Sequence, residues 1–202
     1  MEIKVVKLGA IAVNCYLITT EKSAIVIDPG YESNVTEKFL KQNEDKERLI
    51  LLTHAHFDHI SGALSLKTKT GVKIAIGEKE NFALSDGKFN LANLFGANIK
   101  PFSADILLED NSELNIGDLT FKVLHTPGHT VGSVSYLAED VLFSGDTLFY
   151  MSVGRTDFPG GDFSVLKKSI DRLFELDGET TVLSGHGEAT TIAFEKQNNP
   201  FL

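Results

Sequence analysis

The chain has a single cysteine, Cys15, in 202 residues. No disulfide can close within it, which fits a reducing cytoplasmic setting. A lone cysteine far from the other ligand-type residues is most simply a small buried hydrophobe. No run of lysine and arginine offsets the net charge of -9. A nucleic-acid backbone is therefore not an expected partner, and an anionic membrane surface is disfavoured. No apolar run approaches the ~18 residues that a bilayer span needs. Lys4 and Lys7 precede the apolar stretch 8–13, but Glu2 and Asn14 spoil the pattern of a leader, so the segment reads as mature protein. No internal repeat, low-complexity segment or linker is visible. With 42% hydrophobic and 23% charged residues, an ordinary globular composition, residues 1–202 are expected to form one domain.

Apolar patterning outlines the elements. Strands are expected over Ile3–Leu8, Asn14–Thr20 and Ala24–Ile27, the last two as a hairpin closed by Asp28-Pro29-Gly30. Asp28 could be a turn residue or lie near a site; the turn is the plainer reading. Helical spacing runs from Ser33 to about Gln42. A buried strand over Leu49–Leu52 should lead into a helix from about His59 to Lys69 that ends at Gly71. Strands follow at Val72–Ile76 and Ile106–Leu108, with helical pieces between, broken at Asp86-Gly87. Hairpins are expected over residues 113–125 and 133–143. A helix over Val165–Leu176 with Ser164 as its cap, a strand over Thr180–Leu183 and a helix from Thr190 to about Gln197 complete the chain.

The densest chemistry lies in Thr53-His54-Ala55-His56-Phe57-Asp58-His59, which holds three of the six histidines. Alternate residues of an extended segment face one side, so His54 and His56 can converge. A turn before the helix would set Asp58 and His59 beside them. Imidazole with carboxylate suits Zn, Fe or Mn. Asp58 as a helix cap, or His56 as a satisfied core histidine, would explain either residue alone. Neither explains four such residues at this spacing.

Three later segments repeat one design, an apolar run, a glycine turn and then a potential ligand. They end at His129, at Asp146 and at His186. All would sit just beyond the C-terminal ends of strands, where open sheets place their sites. His125 lies inside its strand, before the turn, and reads as a packing or supporting histidine.

The motifs THAHFDHISG, TPGHT, FSGDTL and SGHG, in this order over nearly the whole chain, resemble those of the metallo-β-lactamase superfamily. The resemblance implies an αββα sandwich, an α+β fold of two mixed sheets face to face with helices outside. It implies two divalent metal ions, Zn first and Fe or Mn also compatible. His54, His56 and His129 would hold one ion; Asp58, His59 and His186 the other; Asp146 would bridge them. The hydrolytic β-lactamases differ at the position of Asp146. The closest resemblance is to glyoxalase II, hydroxyacylglutathione hydrolase, in a short bacterial form. Residues 154–162 and the tail ending Asn199-Pro200-Phe201 look like that form, and only 16 residues follow His186. A C-terminal helical domain that grips glutathione in the longer form would thus be absent. Arg155 falls where the longer enzymes place a residue contacting glutathione, and it could equally pair with Asp157 or Asp162.

The resemblance implies hydrolysis of a small-molecule thioester such as a glutathione conjugate. Two ions about 3.5–4 Å apart would deliver hydroxide at neutral pH, and Asp58 would orient it. The leaving thiolate, of pKa ~8.5, needs no strong general acid. One rival is a persulfide dioxygenase of the same fold, which shares the GRTDF stretch at 154–158 and would hold one iron through His54, His129 and Asp146. A nuclease is disfavoured by the acidic balance, and a closed, non-catalytic metal site by the open positions that seven ligands leave on two ions.

Overall fold

The computed structural model describes all 202 residues. One mixed sheet runs in the order β1 (Glu2–Leu8), β2 (Val13–Thr19), β3 (Ser23–Ile27), β4 (Glu47–Leu52), β5 (Ile74–Gly77), β6 (Ile106–Leu108). Its first three strands pair antiparallel, and β3 to β6 pair in parallel. The second sheet runs β14 (Thr190–Thr191), β13 (Thr181–Ser184), β10 (Val141–Gly145), β9 (Val134–Ala138), β8 (Leu119–His125), β7 (Glu113–Ile116). There only β10 and β13 are parallel. A small hairpin, β11 (Leu148–Phe149) with β12 (Ser152–Val153), follows β10.

Side-chain alternation explains the four layers. In β3 and β4, Ile25, Ile27, Leu49 and Leu51 face the second sheet and meet Phe121, Tyr136 and Phe143. Val26, Ile50 and Leu52 face the other way, toward Leu40 of α1 (Asn34–Gln42) and Leu66 of α3 (Ala63–Thr70). Strands covered on both faces read as unbroken apolar runs, as 49–52 does. On the far side, Leu166, Ile170 and Leu173 of α5 (Phe163–Leu173) and Ile192 of α6 (Ile192–Asn198) cover Leu124, Leu142 and Val182. This is the expected αββα sandwich. Cys15 is fully buried in the helix-facing layer of the first sheet. No helix is long and apolar enough to cross a membrane.

The sheets are tied together at one edge. Tyr136 donates its hydroxyl to the Leu52 carbonyl (2.7 Å) and Tyr16 to that of Ser184 (2.6 Å). The Val134 amide donates to the Thr53 carbonyl (2.9 Å). These bonds, with the parallel pairing of β10 and β13, bring the C-terminal ends of β4, β10 and β13 to one edge.

Two local expectations change. The helix expected over 59–69 is two pieces, α2 (Phe57–Ile60) and α3, broken at Ser61-Gly62. Gly62 donates to the Pro29 carbonyl (2.9 Å), and a Cβ there would overlap the backbone of Tyr31. The close approach to the 28–30 turn forces the break. The cap of α5 is Asp162 and not Ser164: its carboxylate accepts from the amides of Ser164 (2.8 Å) and Val165 (3.1 Å), so the helix starts earlier. Between β5 and β6 the expected helical pieces stand on either side of Asp86-Gly87, as a 3₁₀ segment, Glu78–Ser85, and the four-residue α4 (Ala92–Phe95).

Candidate metal centre

The four ligand-bearing segments meet where the strands end. His54 and His56 follow β4, Asp58 and His59 lie on α2, His129 follows β8, Asp146 follows β10 and His186 follows β13. Their donor atoms fall into three groups that could hold a metal: His54, His56 and His129; His54, His59 and Asp146; Asp58, His59 and His186. Asp146 spans the two ends. Its Oδ1 lies 3.4 Å from His59 Nε2, and its Oδ2 lies 3.6 Å from His129 Nε2 and 3.8 Å from His186 Nε2. Gly185 makes this possible, since a Cβ there would overlap Asp146 Oδ1 and press on the His59 ring.

Asp58 does not cap a helix with its side chain. It lies in the first turn of α2, and its Oδ2 meets His186 Nε2 (3.1 Å) and His59 Nε2 (3.5 Å). His56 is not a satisfied core histidine. Its Nδ1 faces His129 Nε2 at 2.9 Å while its Nε2 is buried without a partner.

Fixed tautomers aim the rings. His129 donates Nδ1–H to the Arg155 carbonyl (2.7 Å), which leaves Nε2 as a lone-pair donor. His59 donates Nδ1–H to Asp28 Oδ2 (2.8 Å). Asp28 also accepts from the Thr53 amide (2.8 Å) and the Thr53 hydroxyl (2.7 Å), which in turn lies 3.1 Å from His54 Nδ1. Asp28 is therefore more than a turn residue. It is 2% exposed, at φ 49°, and holds two of the histidines in orientation.

Burial and charge set the protonation. Burial pushes His54 well below the usual histidine range, helped by the neighbouring rings, and pushes His56 down to about 3. Burial also lowers His129, against the pull of Asp146. Burial would likewise lower His59, but Asp146, Asp58 and Asp28 outweigh it and raise it. Burial would raise Asp146, but His59, His129 and His186 hold it well below the carboxylate range. His54, His56 and His129 are thus poised as neutral imidazoles beside an ionised Asp146, the states in which both bind metals, whereas the carboxylates around His59 and His186 raise those two rings and favour a proton that a bound cation would displace.

The residues present fit a metal. His54 Nε2, His56 Nε2, His59 Nε2 and Asp146 Oδ1 are all buried with no hydrogen-bond partner. Orphaned polar atoms are costly at about 1–3 kcal/mol each, and three of these residues, His54, His59 and Asp146, form one converging donor group that calls for a cation.

Residues 8–186 match the metallo-β-lactamase superfamily. The chain belongs to that superfamily. Members of this superfamily are typically hydrolases built around a histidine cluster. A hydroxyacylglutathione hydrolase, GloC, of Haemophilus influenzae is 38% identical, with 100% of this chain and 98% of that protein covered. Among solved structures, the BLEG-1 B3 metallo-β-lactamase is 41% identical at TM-score 0.91, covering 100% of this chain and 99% of the other. TTHA1623, solved in a di-iron-bound form, is 38% identical at TM-score 0.84, covering 98% and 100%.

Two supports of this metallo-β-lactamase-fold centre escaped the sequence. Glu80, 1% exposed, accepts from the amides of Ala55 (3.0 Å) and Gly132 (2.8 Å), and so ties the His54-Ala55-His56 segment to the loop after His129. Burial raises its pKa against those bonds. Nothing in the 3₁₀ segment's pattern marks it. Asn14 brackets His186: its side chain donates to the carbonyls of Ser184 (2.9 Å) and Gly187 (3.2 Å), and its amide to that of Gly185 (2.7 Å). Its one signal is a polar residue breaking an apolar run. His125 stands apart, with Nε2 3.3 Å from the Val131 carbonyl.

Arg155 and the centre share a cavity of about 450 Å³ that His56, Asp58, His129, Asp146 and His186 line. Arg155 donates Nε–H and Nη2–H to the two oxygens of Asp157 (2.7 and 2.6 Å) and lies 3.8 Å over the Phe158 ring. Asp162 is not its partner; it caps α5.

Proposed function

We propose that this chain is a binuclear metal-dependent hydrolase of small thioesters, of the S-lactoylglutathione kind. The observation that carries the reading is the run of converging donors from His54 to His186, with Asp146 reaching both ends, on the floor of an open cavity. His54, His56 and His129 would hold one ion, Asp58, His59 and His186 the other, and Asp146 would serve both. When bound, two such ions lower the pKa of water and polarise a carbonyl.

The chain's own residues do the rest. Asp58, which lines the cavity beside His59 and His186, would orient the attacking oxygen. Asp28 and the Arg155 carbonyl keep the His59 and His129 lone pairs turned inward. Phe57, Phe95 and Phe158 line one side of the cavity. A thiolate of pKa ~8.5 leaves without a strong acid, which suits a cavity whose lining supplies none. Likeness to GloC over the whole length supports the thioester.

The test is an activity panel on protein loaded with Zn or with Fe. It should contain S-lactoylglutathione, other small thioesters, a β-lactam, and glutathione persulfide with oxygen uptake recorded. Thioester hydrolysis is expected, with a high KM for S-lactoylglutathione. β-Lactam turnover alone, or oxygen uptake on the persulfide by the iron form alone, overturns the reading.

A further inference from the structure

The thioester reading leaves the substrate's recognised part open, and the cavity walls speak to it. Beyond the metal donors the lining is mostly apolar, and aromatic on one side. Phe57 and Phe95 stack with centroids 4.9 Å apart. Phe95 meets Phe158 edge-on at 6.1 Å, and Phe158 meets His56 edge-on at 6.1 Å. A continuous aromatic row thus runs from the cavity wall to a ring of the metal centre.

This row is held in place at a cost. Phe95 remains 54% exposed although it is stacked. It sits on the four-residue α4, which Leu91 introduces at φ 65°, a left-handed conformation unfavourable for leucine. The Asn90 carbonyl before it accepts from the Phe57 amide (2.8 Å), so the strained turn is pinned to the metal-ligating segment. An exposed apolar cluster beside a reactive centre marks a binding surface.

Charge argues in the same direction. Glutathione carries two carboxylates and an ammonium. The lining's only cation, Arg155, already gives two donors to Asp157 and lies flat on Phe158. It extends the aromatic row more than it offers a free charge.

We propose, resting on the thioester reading, that Phe57, Phe95 and Phe158 form a subsite for an aromatic or bulky apolar acyl group. The enzyme then selects its substrate by the acyl part and not by the thiol. The acyl group is the one that fits, because it is bonded directly to the reacting carbon and the row reaches His56 itself. A glutathionyl thiol would meet the row only across a cysteinyl side chain, with peptide groups that find no polar partner there.

The experiment compares kcat/KM of the zinc-loaded enzyme for phenylacetyl- and lactoyl-glutathione, and for acetyl thioesters of glutathione and benzyl mercaptan. The phenylacetyl substrate should win by about tenfold or more, through KM, as one well-filled apolar pocket allows. Phe95→Ala and Phe158→Ala should each bring that ratio toward one. Calorimetry with S-phenacylglutathione, a thioether ketone that cannot be hydrolysed, against S-methylglutathione reads the subsite without turnover, and the phenacyl compound should bind more tightly. An equal kcat/KM for the two acyl groups, a preference unmoved by both variants, or a preference found on the thiol side overturns the subsite. Absence of any thioester cleavage with tighter phenacyl binding overturns the hydrolase reading and leaves the subsite standing; absence of both removes the two together.

Discussion

Replacing Asp28 by asparagine changes one atom and tests how the centre is held. Asp28 takes three donors: the Thr53 amide on Oδ1, and the Thr53 hydroxyl and His59 Nδ1–H on Oδ2, at 2.7 to 2.8 Å. An asparagine offers one carbonyl and one NH2. With the NH2 toward Thr53, two N–H groups face each other in a buried place. With the NH2 toward His59, the ring must accept on Nδ1 and carry its proton on Nε2, the atom that faces Asp58 and Asp146. Either way one charged hydrogen bond, worth about 1.5–3 kcal/mol, is lost. Loss of such a ligand-orienting partner weakens metal binding about 10–100-fold. The His59 site should lose more, because His54 feels Asp28 only through the Thr53 hydroxyl. Zinc titration against a chromophoric chelator reads both sites. Melting in chelator should show an apo protein lower by about 3–10 °C, from about 1–3 kcal/mol in a chain of this size. Asp28→Asn protein that binds zinc at both sites with wild-type affinity would refute the orientation argument.

Other predictions address separate features. Chelated and reconstituted protein should take up close to two zinc equivalents per chain, and a plateau at one, with His59→Ala and His186→Ala binding normally, contradicts two sites. Glu80→Ala should weaken zinc binding about tenfold or more by freeing the Ala55 and Gly132 amides; a lower melting point with unchanged zinc affinity would make Glu80 a stability residue only. Arg155→Ala should raise KM for aromatic acyl thioesters more than it lowers kcat, because it removes the guanidinium that lies over Phe158. Its exposed pair with Asp157 is worth little stability, so a large fall in melting temperature would count against this. Asp118 is held down to about 2, first by the Thr20 hydroxyl and then by that of Ser23. Its native pKa lies below the unfolded one, so its contribution is present above about pH 4 and is lost as pH falls toward 2. Urea midpoints of wild type and Asp118→Asn should therefore converge over that window, and a constant gap excludes the link.

The metal-ligand motif and most of the strands were legible because both are local; the two-sheet sandwich was implied only by the family resemblance. Ligand types two residues apart on an extended segment, and glycine turns after apolar runs, show themselves without knowledge of any partner. So do the unbroken apolar runs of β3 and β4, which mark strands covered on both faces. The tertiary structure decided what depends on distant chain. Asp28 carries the same signal as the other strand ends, an apolar run and then a carboxylate at a glycine turn, yet only the approach of Thr53 and His59 separates a support from a turn residue. Glu80 has no sequence signal, because its partners are backbone amides 25 and 52 residues away. The helix break at Ser61-Gly62 is set by the backbone of Tyr31 and Pro29, which no periodicity within the helix contains. The choice of Asp157 over Asp162 as the partner of Arg155 turned on which carboxylate α5 claimed for its cap. Sequence fixes what each side chain can donate or accept; packing alone decides which group, many residues away, arrives to meet it.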